Sequence, residues 1–250
     1  GAFNEDGKGL SVWDVFTAQN GKIWRDNNGN IACDHYHQWR RDVELMGEIG
    51  LKAYRLSLSW PRILPDGTGS INEKGMAFYD RLIDALLEKN IEPWITLFHW
   101  DFPYALYTRG GWLNPDSPEW FADYAAQVVG RFSDRVCNWM TLNEPQAYIG
   151  LGHQDGTHAP GLKLSMKEIL QAGHHTLLAH GKAVQAIRAK SRRQPLIGAA
   201  QANFIWVPIE ETQTNIETAR KLNFSIREKH MWNNTWFSDP MIFGRYPEDG

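Results

Sequence analysis

Apolar and polar positions along the chain switch repeatedly between two periods. Ala53–Trp60 (AYRLSLSW) alternates, with Leu56 and Leu58 on one parity and Arg55, Ser57 and Ser59 on the other, as in a strand with two unlike faces. Glu92–Trp100 (EPWITLFHW), Asn138–Pro145 (NWMTLNEP) and Leu196–Trp206 (LIGAAQANFIW) are further short apolar runs that read as strands. Between these runs the period lengthens. His37–Ile49 places Trp39, Val43 and Met46 at helical spacing and stops before Gly50, a residue suited to the end of a helix. Asn72–Lys89 carries Phe78, Leu82 and Leu86 on one face. Ser117-Pro118-Glu119 reads as an N-cap with Pro at the first helical position, and Phe121, Tyr124, Val128 and Phe132 follow. Ser165-Met166-Lys167-Glu168 is a capping box for a helix running to about Ala189. Asn215–Lys229 is a fifth helix candidate.

Strands that alternate with helices imply a parallel sheet. Long polar loops follow the strand ends near residues 60, 100, 144 and 206, while short connections lead in. That asymmetry predicts a (β/α)8 TIM barrel, whose active site sits on the loops after the strand C-termini. A doubly wound sheet is the other candidate, but no Gly-rich phosphate loop is present. Gly1 to Gly9 has a spacing one residue too long for one, and Gly9 stands where Ser or Thr is needed. A barrel needs eight strands, and four are visible. The expectation is a single domain over residues 1–250 that forms the N-terminal half of a barrel. Its open sheet edges would favour self-association or pairing with a C-terminal half.

Composition excludes more than it identifies. The formal net charge of −3 gives no electrostatic case for nucleic acid or an anionic membrane. No apolar stretch approaches a membrane span, and the opening GAFNEDGKGL lacks the apolar region of a signal peptide, so cytoplasm is the default compartment. Cys33 and Cys137 match no metal or redox spacing and read as free buried thiols. Asp34, His35 and His37 open a helix and read as structural rather than metal-binding. His174, His175 and His180 do not share one helix face and read as surface or packing residues. Asn72-Glu73 reads as a helix cap. The 12 tryptophans exceed what a core needs. Aromatic faces stack on the C–H faces of sugar rings, but an aromatic core is an equal explanation.

The candidate chemistry lies at the strand ends, which deliver Ser59-Trp60, His99-Trp100, Asn143-Glu144 and the Asn203 region to one rim. An aromatic floor with amide, imidazole and carboxyl groups suits a polyhydroxylated ring. Arg55, opposite in parity to Leu56 and Leu58, would point into the barrel, where a guanidinium needs a carboxylate or equivalent partner. An internal ion pair without a catalytic role is the plain alternative.

These residues resemble family 1 of the glycoside hydrolases, the retaining β-glucosidases and their relatives. The matching segments, in order, are Gly1–Asp14 (GAFNEDGKGLSVWD), Asp34–Met46 (DHYHQWRRDVELM), Tyr54–Pro65 (YRLSLSWPRILP), Thr96–Pro103 (TLFHWDFP), Gly110–Pro115 (GGWLNP), Met140–Pro145 (MTLNEP) and His158–Gly161 (HAPG). The resemblance implies a barrel without cofactor or metal, of which strands 2–5 and the end of strand 1 are present. It implies that Glu144 is the general acid/base, that Asn143 binds the sugar 2-hydroxyl, that His99 and Trp100 contact the glycone, and that Arg55 pairs with the nucleophile. Asn203 is a further candidate for substrate contact. The substrate would be a β-glucoside or β-linked oligosaccharide. His99-Trp100 followed by Asp101-Phe102 fits the plain glucosidase branch better than the 6-phosphoglycoside branch, and Glu144 argues against thioglucoside cleavage. The nucleophile's Thr-Glu-Asn-Gly motif is absent from these 250 residues. The expectation is therefore that this chain alone is inactive. A non-catalytic carbohydrate-binding or half-barrel assembly module is the alternative.

Overall fold

Four strands, β1 (Ala53–Ser57), β2 (Glu92–Phe98), β3 (Asn138–Asn143) and β4 (Leu196–Ala200), pair in parallel in sequence order. They belong to a computed structural model that describes residues 2–226 and 230–249. A doubly wound sheet reverses its strand order at a switch point; this sheet has no reversal and progresses in one direction, as half of a (β/α)8 barrel does. The helices are α1 (Val12–Thr17), α2 (His35–Glu48), α3 (Trp60–Ile63), α4 (Glu73–Glu88), α5 (Tyr104–Tyr107), α6 (Ser117–Phe132), α7 (Pro145–Ile149), α8 (Met166–Lys190), α9 (Gln213–Phe224) and α10 (Asn234–Phe243). None of the described helices is long and apolar enough to cross a membrane.

The alternation read in the sequence sets the two faces of the sheet. Leu56, Ile95, Leu97 and Trp139 are buried in the core shared with α4, α6 and α8, while Arg55 and Ser57 lie exposed on the opposite face. Six of the 12 tryptophans, Trp39, Trp60, Trp112, Trp120, Trp139 and Trp236, are core residues, so half of the indole complement is structural.

All four strands end earlier than the apolar runs do. Trp60 starts α3 with Pro61 in its first turn, and its ring is fully buried against Phe102, Phe121 and Tyr124. It is thus a core residue, not a rim residue. Trp100 and Glu144 take left-handed backbone conformations, with φ of 76° and 47°, which no strand can continue. Beyond Ala200 the chain peels away from the sheet. There the Asn234 amide brackets Phe204 and the Asn223 amide brackets Trp206, each accepting from the backbone N–H and donating to the C=O. These side chains supply the hydrogen bonds that a neighbouring strand would otherwise make.

The helix boundaries differ in detail. α2 begins at His35, after a left-handed Asp34. α6 takes in Ser117 and is preceded by Asp116, with no side-chain cap. Asn72 does not cap α4 through its side chain; its amide donates to the carbonyls of Asp6 and Arg62, tying two loops together. The Ser165 box forms as expected, with the Glu168 carboxylate accepting from the Ser165 N–H at 2.9 Å and hydroxyl at 2.6 Å. The fifth helix ends at Phe224; the expected end at Lys229 lies outside the described residues. α10 was hidden by Pro240, which sits inside the helix. Cys33 is exposed and Cys137 half-buried, so neither is the buried thiol that their composition suggested.

Two histidines sit in the helical layer, one bonded within its own segment and one against β3. His153 is buried with Nδ1 against the Tyr148 carbonyl, and His180 Nδ1 meets the Thr141 hydroxyl at 2.7 Å. Burial pushes both down to about 4 from an ordinary 6.5. A depressed histidine favours the fold while neutral, so its contribution is present above about pH 6.5 and is lost as pH falls towards 4. By pH 4 the loss is of order 3 kcal/mol for each. Urea unfolding between pH 7 and pH 4 should show this loss, with His153→Gln flattening the profile. A profile unchanged by that substitution would remove His153 from the account.

Candidate active site

The site is built where β1, β2 and β3 end. Arg55 lies on the inner face of β1, paired with Trp94 and two residues before Ser57, the partner of Thr96 on β2. Its Nε donates to the Thr96 hydroxyl at 2.9 Å, and its Nη2 donates to Asn143 Oδ1 at 2.5 Å. Oδ1 being taken, the Asn143 amide nitrogen is left as the group that can donate to a ligand. Asn143 is 2% exposed, and its carbonyl accepts from Trp100 Nε1 at 2.8 Å. Arg55 on β1 thus holds the Asn143 side chain while Trp100, after β2, holds its main-chain carbonyl.

Glu144 follows directly. Its N–H donates to the Ala200 carbonyl at 2.7 Å, which carries the β3–β4 ladder one residue past the strand. Its own carbonyl accepts from Ala147 at 2.9 Å, opening α7 with Pro145 in the first turn. A proline at that position needs no donor. The opposed demands of ladder and helix are met by the left-handed turn at Glu144, which costs roughly 1–3 kcal/mol in a non-glycine residue. A π-helical turn, Gly150–Gln154, extends α7. Behind the turn, buried Gln146 donates through Nε2 to Gln201 Oε1 at 3.1 Å.

His99 stands beside these groups. Partial burial and the Arg55 charge hold its pKa down, and the Glu144 charge pulls the other way. The imidazole therefore feels both the cation and the carboxyl, and it is biased to the neutral form that can donate from one nitrogen and accept at the other. A cavity of about 940 Å³ opens beside Arg55, His99 and Trp100 and extends past Tyr54 to His35 and Asp42 on α2; Asn143 and Glu144 are not among its lining residues.

The structure brings Arg55, His99, Trp100, Asn143 and Glu144 together. Asn203 stands apart, in a separate pocket with Asn223, Asn234 and Tyr246. His35 pairs with Asp42 at 2.5 Å, and His37 bridges Asp34 and Glu5. His174 meets the Tyr246 hydroxyl, and His175 packs with Nδ1 on the Trp112 carbonyl.

Residues that the strand-end reading passed over also shape the site. Burial pushes the Asp101 carboxyl up to about 7, partly offset by Ser59 and Lys8. The Trp13 ring stacks on Trp100 with centroids 6.5 Å apart and planes 22° apart, and His158 lies 5.6 Å from Trp100. Trp13 and His158 both fall in the segments that carry the family resemblance, but only three-dimensional contact shows what they touch.

Comparison with known proteins supplies the family. The sequence profile described as "Glycosyl hydrolase family 1" matches residues 1–250. A 1,4-beta-D-glucan glucohydrolase of Thermotoga neapolitana is 44% identical over 247 residues, covering 97% of this chain and 55% of that protein. Beta-glucosidase A of Acetivibrio thermocellus is 45% identical over 249 residues, covering 100% of this chain and 54% of that protein. The solved family 1 β-glucosidase from Thermotoga maritima superimposes with a TM-score of 0.89 at 41% identity, over 99% of this chain and 54% of that one; it has also been solved with glucoimidazole. The chain spans about half the length of these relatives, so the barrel it forms is an incomplete one. By sequence profile, identity and superposition together, the chain belongs to glycosyl hydrolase family 1.

Proposed function

We propose that these residues form the acid/base half of a retaining β-glucosidase site, with Glu144 as general acid and then general base. The observation that carries this reading is the placement of Glu144 at a strand exit, immediately after an Asn143 fixed by Arg55 and Trp100. In double displacement, the acid protonates the glycosidic oxygen as a second carboxylate attacks the anomeric carbon. The same residue then takes a proton from water as that water releases the sugar. Glu144 has the chemistry for both steps, and it is partly exposed at the left-handed turn that ends β3 while α7 after it is buried. Asn143 Nδ2 is the donor available to a sugar hydroxyl. His99 offers a neutral imidazole to another.

Arg55 is the group that a nucleophilic carboxylate would approach. The attacking carboxylate in retaining enzymes lies roughly 5–5.5 Å from the acid/base, and the Thr-Glu-Asn-Gly motif that would supply it does not occur in these 250 residues. It would come from a further strand of the barrel. The outer edges of β1 and β4 have no neighbouring strand among the described residues, and those edges are where a second half, or a second copy of this half, would pair.

The test is to measure hydrolysis of an alkyl β-glucoside by two forms: the 250-residue chain, and the same chain extended to the length of its relatives. The extended form should release β-glucose first, seen by proton NMR, and the 250-residue form should show no turnover. Release of α-glucose, or enzyme-like turnover by the short form, would overturn the assignment of roles.

A further inference from the structure

Trp100 is placed to do something other than touch a sugar through its polar edge. Its indole Nε1–H is already committed, donating to the main-chain carbonyl of Asn143 at 2.8 Å. Its backbone is in the left-handed region at φ 76°, a conformation that a bulky residue keeps only when its surroundings over-determine it. Those surroundings include three rings, two of them, Trp13 and His158, from separate stretches of chain and the third, His99, its own neighbour in sequence. Trp13, on α1, stacks on it. His158, in the loop after the π-helical turn, lies 5.6 Å from Trp100 and 5.4 Å from Trp13, closing a triangle. His99 meets it edge-on at 5.3 Å.

Both outer members of the triangle are tied down. The α1 segment is held by Val12 N–H on the Phe102 carbonyl and by Tyr104 N–H on the Leu10 carbonyl, so it is bound to the same turn that carries Trp100. The His158 N–H donates to the Leu151 carbonyl at 3.1 Å. The His158 ring has a buried Nδ1 with no hydrogen-bond partner among the described residues, and burial holds its pKa down. It therefore packs against both indoles, edge-on to Trp13 and tilted to Trp100, as a neutral ring and not as a charged group.

From this arrangement we infer that Trp100 is a positioning residue for the acid/base: its indole N–H fixes the Asn143 carbonyl, hence the turn at Glu144, and Trp13 with His158 fixes the indole. The inference deepens the proposed function and rests on Glu144 being the proton donor. A carboxyl displaced by about 1 Å from its productive position can cost on the order of 100-fold in rate. Such a loss falls where protonation matters, on substrates with poor leaving groups.

Two measurements test this. In the extended, active protein, Trp100→Phe keeps a ring in the stack but removes the N–H. It should lower kcat/KM for an alkyl β-glucoside roughly 10- to 100-fold, and far less for a dinitrophenyl β-glucoside, whose leaving group needs no proton. Equal losses on both substrates would mean a merely structural role and would overturn the inference. No hydrolysis by the unsubstituted protein would instead defeat the proposed function.

The second measurement does not depend on activity. In the 250-residue chain, the Trp100 indole N–H should exchange slowly with deuterium by NMR. His158→Ala and Trp13→Phe should each speed that exchange by about 10-fold or more, the change in opening equilibrium expected when packing partners of a protected group are removed. Rapid exchange in the unsubstituted chain, or exchange unaffected by either substitution, would overturn the inference regardless of the kinetics.

Discussion

Glu144→Gln, introduced into the extended protein, should lower kcat/KM for an alkyl β-glucoside by about 100- to 10,000-fold, the usual contribution of general acid catalysis. The substitution keeps the side chain's length and its hydrogen-bonding capacity while removing the transferable proton. It leaves the backbone ties of residue 144 to Ala200 and Ala147 untouched, because those run through main-chain atoms. Stability should therefore change by only a few tenths of a kcal/mol, as for substitutions that break no buried network. For a dinitrophenyl β-glucoside the first step needs no proton, so kcat/KM should fall little. The second step still needs a base, so kcat should drop and the glycosyl-enzyme should accumulate as a burst. Steady-state kinetics on the two substrates, with a stopped-flow trace for the second, check each point. Full activity on the alkyl substrate would remove Glu144 from its role.

The largest effect on stability is expected at Trp60. Its side chain is fully buried, stacks on Tyr124 with centroids 5.0 Å and planes 12° apart, and donates from Nε1 to the Gly67 carbonyl at 2.9 Å. Trp60→Ala removes the whole ring from a packed cluster and strands that carbonyl. Large-to-small changes of this kind cost about 3–5 kcal/mol, which for a chain of this size lowers Tm by roughly ten degrees. Trp60→Phe retains most of the stack and loses the hydrogen bond, so it should recover more than half of the loss. Calorimetry on both variants would decide; an equal drop for the two would mean that the hydrogen bond, not the packing, carries the effect.

How far the sequence could be read depended on the kind of signal each residue gives. The strands and their order were legible because a parallel sheet imprints alternation and apolar runs on the chain. The inward direction of Arg55 followed from parity alone. Asn143 and Glu144 were legible because polar residues at the end of a buried run have few structural reasons to be there. The points where strands end were not, since left-handed turns are ordinarily marked by Gly or Asn, and here they fall on Trp100 and Glu144. Trp60 looked like the last residue of a strand, although Pro61 behind it was a usable sign of a helix start. α10 was concealed by an internal proline. The amide brackets of Asn223 and Asn234, and the triangle of Trp13, Trp100 and His158, join residues far apart in the chain, and no local pattern encodes such meetings.

The two left-handed strand exits carry a cost for anyone who would engineer this protein. Glycine enters that conformation without the steric penalty a side chain incurs, so a ranking of substitutions by predicted fold stability alone will score Trp100→Gly and Glu144→Gly leniently at the backbone level. Following that ranking would relax the loops at these positions while deleting the strut and the carboxyl that the strained geometry holds in place. Thermostabilisation should therefore begin by freezing residues 100 and 144 and searching elsewhere, because at these positions tolerance of the fold and retention of the chemistry run in opposite directions.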